Sequence, residues 1–193
     1  MAAVLLQYHS LDDHGKLLFS SVESGNYIGD IIKDSDVYIT SASDRTLLHV
    51  AVIAGNLKNV EKLVKIGKHK LICMKDQDGY TAIALVARYT GNTDIAKCMI
   101  EKNKWSNSQA SRENQLEIEN RDNVIPILLA AANGHKELTS YLYSKTPSDS
   151  TVLFDKSNSK NRVLLLSLCI NAEIFGKQSF LRYSKSNVII KCV

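Results

Sequence analysis

TLLHVAVIAGNLKNVEKLV, residues 46 to 64, consists of two apolar runs separated by a glycine. His49 lies in the first run, one turn after Thr46. The second run repeats apolar residues at intervals of three and four, which is the period of an amphipathic helix. Gly55 lies between the runs, where a helix hairpin needs a residue that tolerates a positive φ. The stretch therefore predicts two short helices joined by a tight turn.

Four glycines fit this turn position, and each is followed by asparagine or histidine: Gly25, Gly55, Gly91 and Gly134. A run with helical period follows each of them, as in NLKNVEKLV and HKELTSYLY. The runs before the last three glycines, HVAVIA, ALVARY and LLAAA, are too rich in alanine for strands. The sequence therefore predicts an all-α fold in which a helix–turn–helix unit occurs four times.

A short polar turn precedes three of these units: SDRT at 43–46, QDGYT at 77–81 and RDNVIP at 121–126. Aspartate beside glycine or asparagine favours a tight turn, because these residues tolerate the left-handed backbone conformation. The turns place Thr46 and Thr81 at helix N-caps. They place Pro126 at a first helical position, where its missing N–H costs nothing.

The spacing of the turns gives the repeat length. Asp44 and Asp78 are 34 residues apart, whereas Asp78 and Asp122 are 44 apart, so the third unit holds an insertion of about ten residues. A fifth, degenerate unit is predicted near Val163, with Ala172 in the glycine position. We predict an N-terminal extension, four repeats, the degenerate repeat and a poorly ordered tail: 1–11, 12–42, 43–76, 77–120 with an inserted loop at 102–120, 121–154, 155–175 and 176–193.

The pattern resembles the ankyrin repeat, whose signature is T-P-L-H-x-A-x-x-x-G. The second unit lacks only the proline of this signature and matches it at Thr46, Leu48, His49, Ala51 and Gly55. The third unit, TAIALVARYTG, keeps Thr81 and Gly91 but lacks the histidine and has one extra residue before the glycine. The fourth, IPILLAAANG, keeps Pro126 and Gly134. The resemblance implies a solenoid of stacked helix pairs, in which His49 joins neighbouring turns by hydrogen bonds.

Two longer runs extend the resemblance. EKLVKIGKHKLICMKDQDGYTAIALVARYTGNTDIAKCMIEKN and DNVIPILLAAANGHKELTSYLYSKTP look like the ankyrin half of plant membrane proteins that end in a PGG domain, a group associated with defence and stress signalling. Those proteins place membrane-spanning helices after the repeats, whereas the longest apolar runs here are about half the length that a bilayer requires. The resemblance therefore implies a soluble fragment, short isoform or truncated product of such a protein.

A stacked-repeat fold favours binding of a protein partner through the turn tips and the inner helices. The candidate contact residues at the tips are Asp44, Arg45, Gln77, Asp78, Tyr80, Asp122 and Asn123. Asp78 and Asp122 are also expected to form their turns by bonding their own backbone two residues on. Trp105, in the inserted loop, either folds back onto the preceding helix or contacts a partner.

Other classes of function have little support in the sequence. Basic residues exceed acidic ones only by 24 to 20, without an arginine-rich run, which argues against nucleic-acid binding. No nucleophile or carboxylate recurs beside His49, so a catalytic base is not expected there, and the histidines and cysteines show no metal-site spacing. We expect no enzyme activity and no cofactor. The widely spaced cysteines favour a reducing compartment, so we expect a cytoplasmic protein, or alternatively one held at the plasma membrane by full-length relatives.

Overall fold

The computed structural model describes residues 8, 10–102, 114–146, 150–154 and 160–172. Within these residues the α-helices are α1 Asp13–Glu23, α2 Leu47–Ile53, α3 Leu57–Ile72, α4 Ala82–Leu85, α5 Thr93–Lys102, α6 Pro126–Ala132, α7 Lys136–Lys145, α8 Thr151–Phe154 and α9 Lys160–Asn171. The all-α prediction is confirmed. Trp105 and the tail 176–193 lie outside the described residues. In the described part of the chain, each helix is too short or too polar to cross a bilayer.

The helices of the second, third and fourth repeats begin at the residues that the turn spacing indicates. The side chain of Thr46 accepts a hydrogen bond from the N–H of His49, and Thr81 accepts one from Ala84, so both threonines are N-caps. Pro126 is the first residue of α6. Because a cap satisfies N–H groups that have no partner within the helix, the two threonines determine where α2 and α4 start. Pro126 favours the start of α6 through its fixed φ.

The helices stack in two rows with one continuous core between them. Helices α1, α2, α4, α6 and α9 contact one another in that order and form the inner row. Helices α3, α5 and α7 form the outer row in the same way. In the segment predicted as a degenerate fifth repeat, the described residues form a single helix, α9, which packs on α6 and buries Leu165 and Cys169. Short helices of this kind depend on stacking, because each is marginal alone.

The first repeat departs from the expected helix pair. After Gly25 the chain forms one helical turn, in which the N–H of Ile32 donates to the carbonyl of Ile28, and then the 3-10 helix Asp36–Tyr38. Asn59 of α3 explains the difference, because its side chain accepts from the N–H of Ile28 at 3.0 Å and donates to the carbonyl of residue 26 at 2.7 Å. These contacts fix the backbone of residues 26 and 28 just before the helical turn, where Ile28 is completely buried.

The third repeat accommodates its extra residue in a widened turn. Residues Val86–Thr90 continue α4 as a π-helix, and the N–H of Gly91 donates to the carbonyl of Val86, five residues earlier, at 2.8 Å. Gly91 then ends the helix with a φ of 60°. A π-helical turn contains one residue more than an α-helical turn, so the following helix keeps its place in the stack.

Candidate functional site

Three tight turns with the same geometry form one edge of the stack. In each, a side-chain oxygen accepts hydrogen bonds from the N–H groups two and four residues later. The distances are 3.3 and 3.3 Å for Ser41, 3.0 and 2.8 Å for Asp76, and 3.0 and 2.9 Å for Asn120. Each of these residues lies five positions before the residue at the helix N-cap. The polar side chain at that offset is therefore what closes the turn.

This geometry corrects the expected role of Asp78 and Asp122. Both were expected to close their turns through their own side chains, but Asp76 and Asn120 do so from two residues earlier. Asp78 and Asp122 are left with exposed side chains on the tips. The signal that reasoning from sequence missed is the shared offset of Ser41, Asp76 and Asn120 from the following helix.

Hydrogen bonds between successive turns hold them in a row. The N–H of Gln77 donates to the carbonyl of Ser43 at 2.9 Å, and the N–H of Arg121 donates to the carbonyl of Asp78 at 3.3 Å. Both bonds join the second residue of one turn to the third residue of the turn before it. The backbone of the tips is therefore fixed, while the side chains that point outward can vary without disturbing it.

Arg45, a predicted contact residue, forms an ion pair within the protein. Its Nε lies 3.4 Å from Oδ2 of Asp76, whose other oxygen closes the second turn. The side chain of Asp76 is 1% exposed and that of Arg45 is 26% exposed. Arg45 therefore links the first two turns and keeps only part of its surface for a partner.

His49 lies beneath the second turn and is completely buried. Its Nδ1 accepts from the N–H of Thr46 at 3.1 Å, which places the ring proton on Nε2. Nε2 then lies 3.1 Å from the carbonyl oxygen of Met74 and 3.2 Å from that of Tyr80. Burial lowers the pKa of His49 to about 4, although the carboxylate of Asp76 and these two carbonyls oppose the shift. The neutral ring thus joins α2 to the second turn.

The structure divides the remaining candidate residues into two groups. Exposed side chains on the tips belong to Asp44, Gln77, Asp78, Asp122 and Asn123. Asp44 and Asn123 also have positive φ angles of 57° and 58°, so they shape their turns as Gly79 shapes the second. Tyr80, expected on the exposed surface, is only 6% exposed because its ring packs into the core cluster. Trp105 lies outside the described residues.

Arg88 and Tyr89, on the π-helical turn, are exposed residues that the sequence analysis did not select. The guanidinium carbon of Arg88 lies 4.9 Å from the ring centroid of Tyr80 and 5.4 Å from that of Tyr89. Arg88 also donates a hydrogen bond to the hydroxyl of Tyr80. The signal in the sequence was the extra residue before Gly91, which causes the widened turn that carries both side chains.

No group of three histidine, cysteine, aspartate or glutamate side chains suited to a metal ion occurs within the described residues. The tips instead present charged and amide side chains on a fixed backbone, and the π-helical turn after α4 presents Arg88 and Tyr89. Such a surface can form hydrogen bonds and ion pairs with another macromolecule. The arrangement is that of a recognition surface on a rigid frame.

Comparison with known proteins agrees with this architecture. The family described as "Ankyrin repeats (3 copies)" matches residues 9–113 and 48–155, which is more than half of the chain. Over 64 residues the chain is 42% identical to proteins called "Notch-regulated ankyrin repeat-containing protein" from Xenopus tropicalis and Xenopus laevis. The matched part is 33% of this chain and 54% of each relative, so the chain spans about half the length of these relatives. By its turns, its stacked helix pairs and this match, the chain belongs to the ankyrin-repeat family.

Proposed function

We propose that this chain is a non-catalytic module that binds a partner protein through its turn tips and inner helices. The observation that carries the proposal is the row of three equivalent turns, each closed by a buried side chain and bonded to its neighbour. The turns present Asp44, Gln77, Asp78, Asp122 and Asn123 on a backbone that does not have to be ordered on binding. A pre-ordered surface loses less conformational entropy when a partner binds.

His49 supports the non-catalytic part of the proposal. Its two ring nitrogens are occupied by hydrogen bonds within the protein, and its side chain has no access to solvent. A general base must reach the proton that it abstracts from a substrate. The histidine that could have suggested chemistry therefore acts as part of the frame.

Affinity capture from the native cells tests the proposal with two variants. The first is the double charge reversal Asp78→Lys with Asp122→Lys, which alters two exposed tips and leaves the buried turn closures intact. The second, Gly55→Val, strains the helix hairpin, because Gly55 has a φ of 69° and a β-branched residue resists this conformation. Partners that read the tips should be lost with both variants.

The matched control is Asp94→Lys, on the outer helix α5, where the side chain of Asp94 is 73% exposed and forms an ion pair with Lys97 at 3.2 Å. Capture should be unchanged with this variant. Partners that survive both the double tip variant and Gly55→Val would contradict the proposal, because they would not be reading the folded repeats.

The resemblance of residues 61–103 and 122–147 to plant PGG-domain proteins supports a narrower proposal. From this resemblance we propose that the chain acts in stress or defence signalling in the cytoplasm. The alternative is that it acts at the plasma membrane by assembling with full-length relatives. The buried thiol of Cys169, which forms no disulfide within the described residues, is compatible with a reducing compartment. Fractionation with and without a co-expressed full-length relative tests the membrane alternative. A pool that remains outside the membrane fraction in both cases would rule it out.

A further inference from the structure

The π-helical turn gives the third repeat a surface that the neighbouring repeats lack. Seven and eight residues after the N-cap position, the third repeat has Arg88 and Tyr89, both exposed. The second repeat has Ile53 and Ala54 at these places, and the fourth has Ala132 and Asn133. A charged and an aromatic side chain therefore project from one repeat of the three. π-helical turns of this kind are rare and occur frequently at functional sites.

Arg88 is held in place before any partner arrives. Tyr80 accepts a hydrogen bond from its guanidinium and presents its ring at 4.9 Å, while the ring of Tyr89 lies 5.4 Å away. Tyr80 is itself fixed, because its N–H donates to the buried carboxylate of Asp76 at 2.8 Å. A guanidinium stacked on aromatic rings keeps its charge and its planar fork of donors.

The charge of Arg88 is not neutralised within the described part of the chain. The ion pairs there involve other side chains: His14 with Asp36, Lys16 with Asp13, Arg45 with Asp76, Lys97 with Asp94 and Lys145 with Glu101. Among the described residues the guanidinium of Arg88 donates to the hydroxyl of Tyr80, which leaves most of its five N–H donors for another acceptor. The planar fork matches the two oxygens of a carboxylate.

We propose that Arg88, stacked on Tyr80 and Tyr89, is the anchor for an aspartate or glutamate side chain of the partner protein. The inference rests on the proposed binding function and specifies the chemistry of the partner at the third repeat. Tyr89, a residue that is 52% exposed, supplies an apolar surface beside the carboxylate. Arginine and tyrosine are over-represented among the residues that dominate binding energy at protein interfaces.

A display library of random 12-residue peptides, selected on the full chain, tests the proposal. We expect the selected peptides to be enriched in aspartate and glutamate. Their affinity should fall roughly tenfold or more with Arg88→Ala. Arg88→Lys should recover only part of this loss, because lysine keeps the charge but not the planar fork. Selection on Arg88→Glu should give peptides enriched in lysine and arginine.

Lys97→Ala is the control for a general effect of positive charge. Lys97 is exposed on the outer helix α5, and its loss should leave peptide affinity unchanged. Arg88→Ala should also keep the thermal midpoint of the wild type within about 2 °C, because an exposed side chain contributes little to folding. A lower affinity at an unchanged midpoint then reports on binding alone.

Two results would overturn the proposal. One is a set of selected peptides without acidic enrichment, and the other is an affinity that Arg88→Ala changes by less than about twofold. If the peptides bound Arg88→Ala normally but no longer bound the double variant at Asp78 and Asp122, this inference would be wrong. The proposed binding function would still be supported. A library that yields no binder would count against both.

Discussion

The inner helices of the second and third repeats share their ends and differ in between. Both begin at a threonine N-cap and end at a glycine with positive φ, Gly55 or Gly91. The second has histidine in its third helical position, where the third has Ala84. His49 bonds to the carbonyls of Met74 and Tyr80 and so fastens the next turn, whereas the methyl group of Ala84 can form no such bond.

The same two repeats also differ in length. The third inserts one residue before its glycine and forms the π-helical turn that exposes Arg88 and Tyr89. The difference shows that the N-caps and glycines maintain the stack, while the residues between them can either form hydrogen bonds inside the protein or form an exposed surface. Four predictions test this division of roles between the two sets of residues, from the largest expected effect to the smallest.

Removal of the His49 side chain should have the largest effect. His49→Ala leaves the N–H of Thr46 and the carbonyl of Met74 without the bonds that His49 makes to them, and it opens a cavity. The carbonyl of Tyr80 also loses His49 but keeps the N–H of Asp76, at 2.9 Å. We expect the free energy of unfolding to fall by about 3 kcal/mol, measured by urea denaturation. His135→Ala is the matched control, because Nε2 of His135 has no hydrogen-bond partner in the described part of the chain. An equal loss in both variants would contradict the assigned role of His49.

Acid should weaken the second repeat through the same residue. The pKa of His49 is about 4 in the folded protein, against an ordinary value of 6.5, so the unfolded chain binds the proton more tightly. The folded state therefore keeps the full stabilising contribution of neutral His49 above pH 6.5, and this contribution declines as the pH falls towards 4. At pH 5 the loss should be about 2 kcal/mol relative to pH 7.5.

Urea denaturation of the wild type and of His49→Gln at pH 7.5, 6 and 5 measures this effect. Glutamine does not titrate, so the variant should be less stable at pH 7.5 but should lose less stability on acidification. Contributions from other titrating groups, which both proteins share, should cancel in the comparison. Parallel pH profiles for the two proteins would show that His49 does not control the response.

The frame of the fold could be predicted from sequence because its determinants are local. Each helix start depends on a residue at or next to it: Thr46, Thr81 or Pro126. Each hairpin depends on a glycine that can adopt a positive φ. The course of residues 26–32 could not be predicted in the same way. It depends on the side chain of Asn59, about thirty residues further along the chain, whose bonds outweigh the helical period of the run.

The candidate site could be predicted only in part for the same reason. That Asp78 and Asp122 lie on exposed tips follows from their places in the turns. The burial of Tyr80 depends on its contacts with the core cluster, which no local pattern indicates. The extra residue before Gly91 was visible, but its conversion into a π-helical turn depends on packing against the helices on either side.

Alanine in place of the two hairpin glycines should separate backbone strain from crowding. Gly55→Ala should cost about 1 kcal/mol, because its φ is 69° but a Cβ there meets nothing within 4 Å. Gly91→Ala should cost about 2 kcal/mol, because a Cβ there would also overlap the ring of His135. Adding His135→Ala to Gly91→Ala should recover about half of the loss in urea denaturation. If both substitutions lowered the free energy of unfolding equally, a steric clash between the Cβ of Gly91→Ala and His135 would be excluded.

Deletion of Thr90 should have the smallest effect on stability. It restores the nine-residue interval from N-cap to glycine that the second repeat has, so Val86–Thr90 should become an ordinary α-helical turn. We expect the free energy of unfolding to change by no more than about 1 kcal/mol. The matched deletion of Ala54 shortens the nine-residue interval from Thr46 to Gly55, which already has the usual length. It should lower the free energy of unfolding by at least about 2 kcal/mol, because it rotates Gly55 out of the hairpin. If the two deletions cost the same, the extra residue would be part of the frame of the third repeat and not an addition to it.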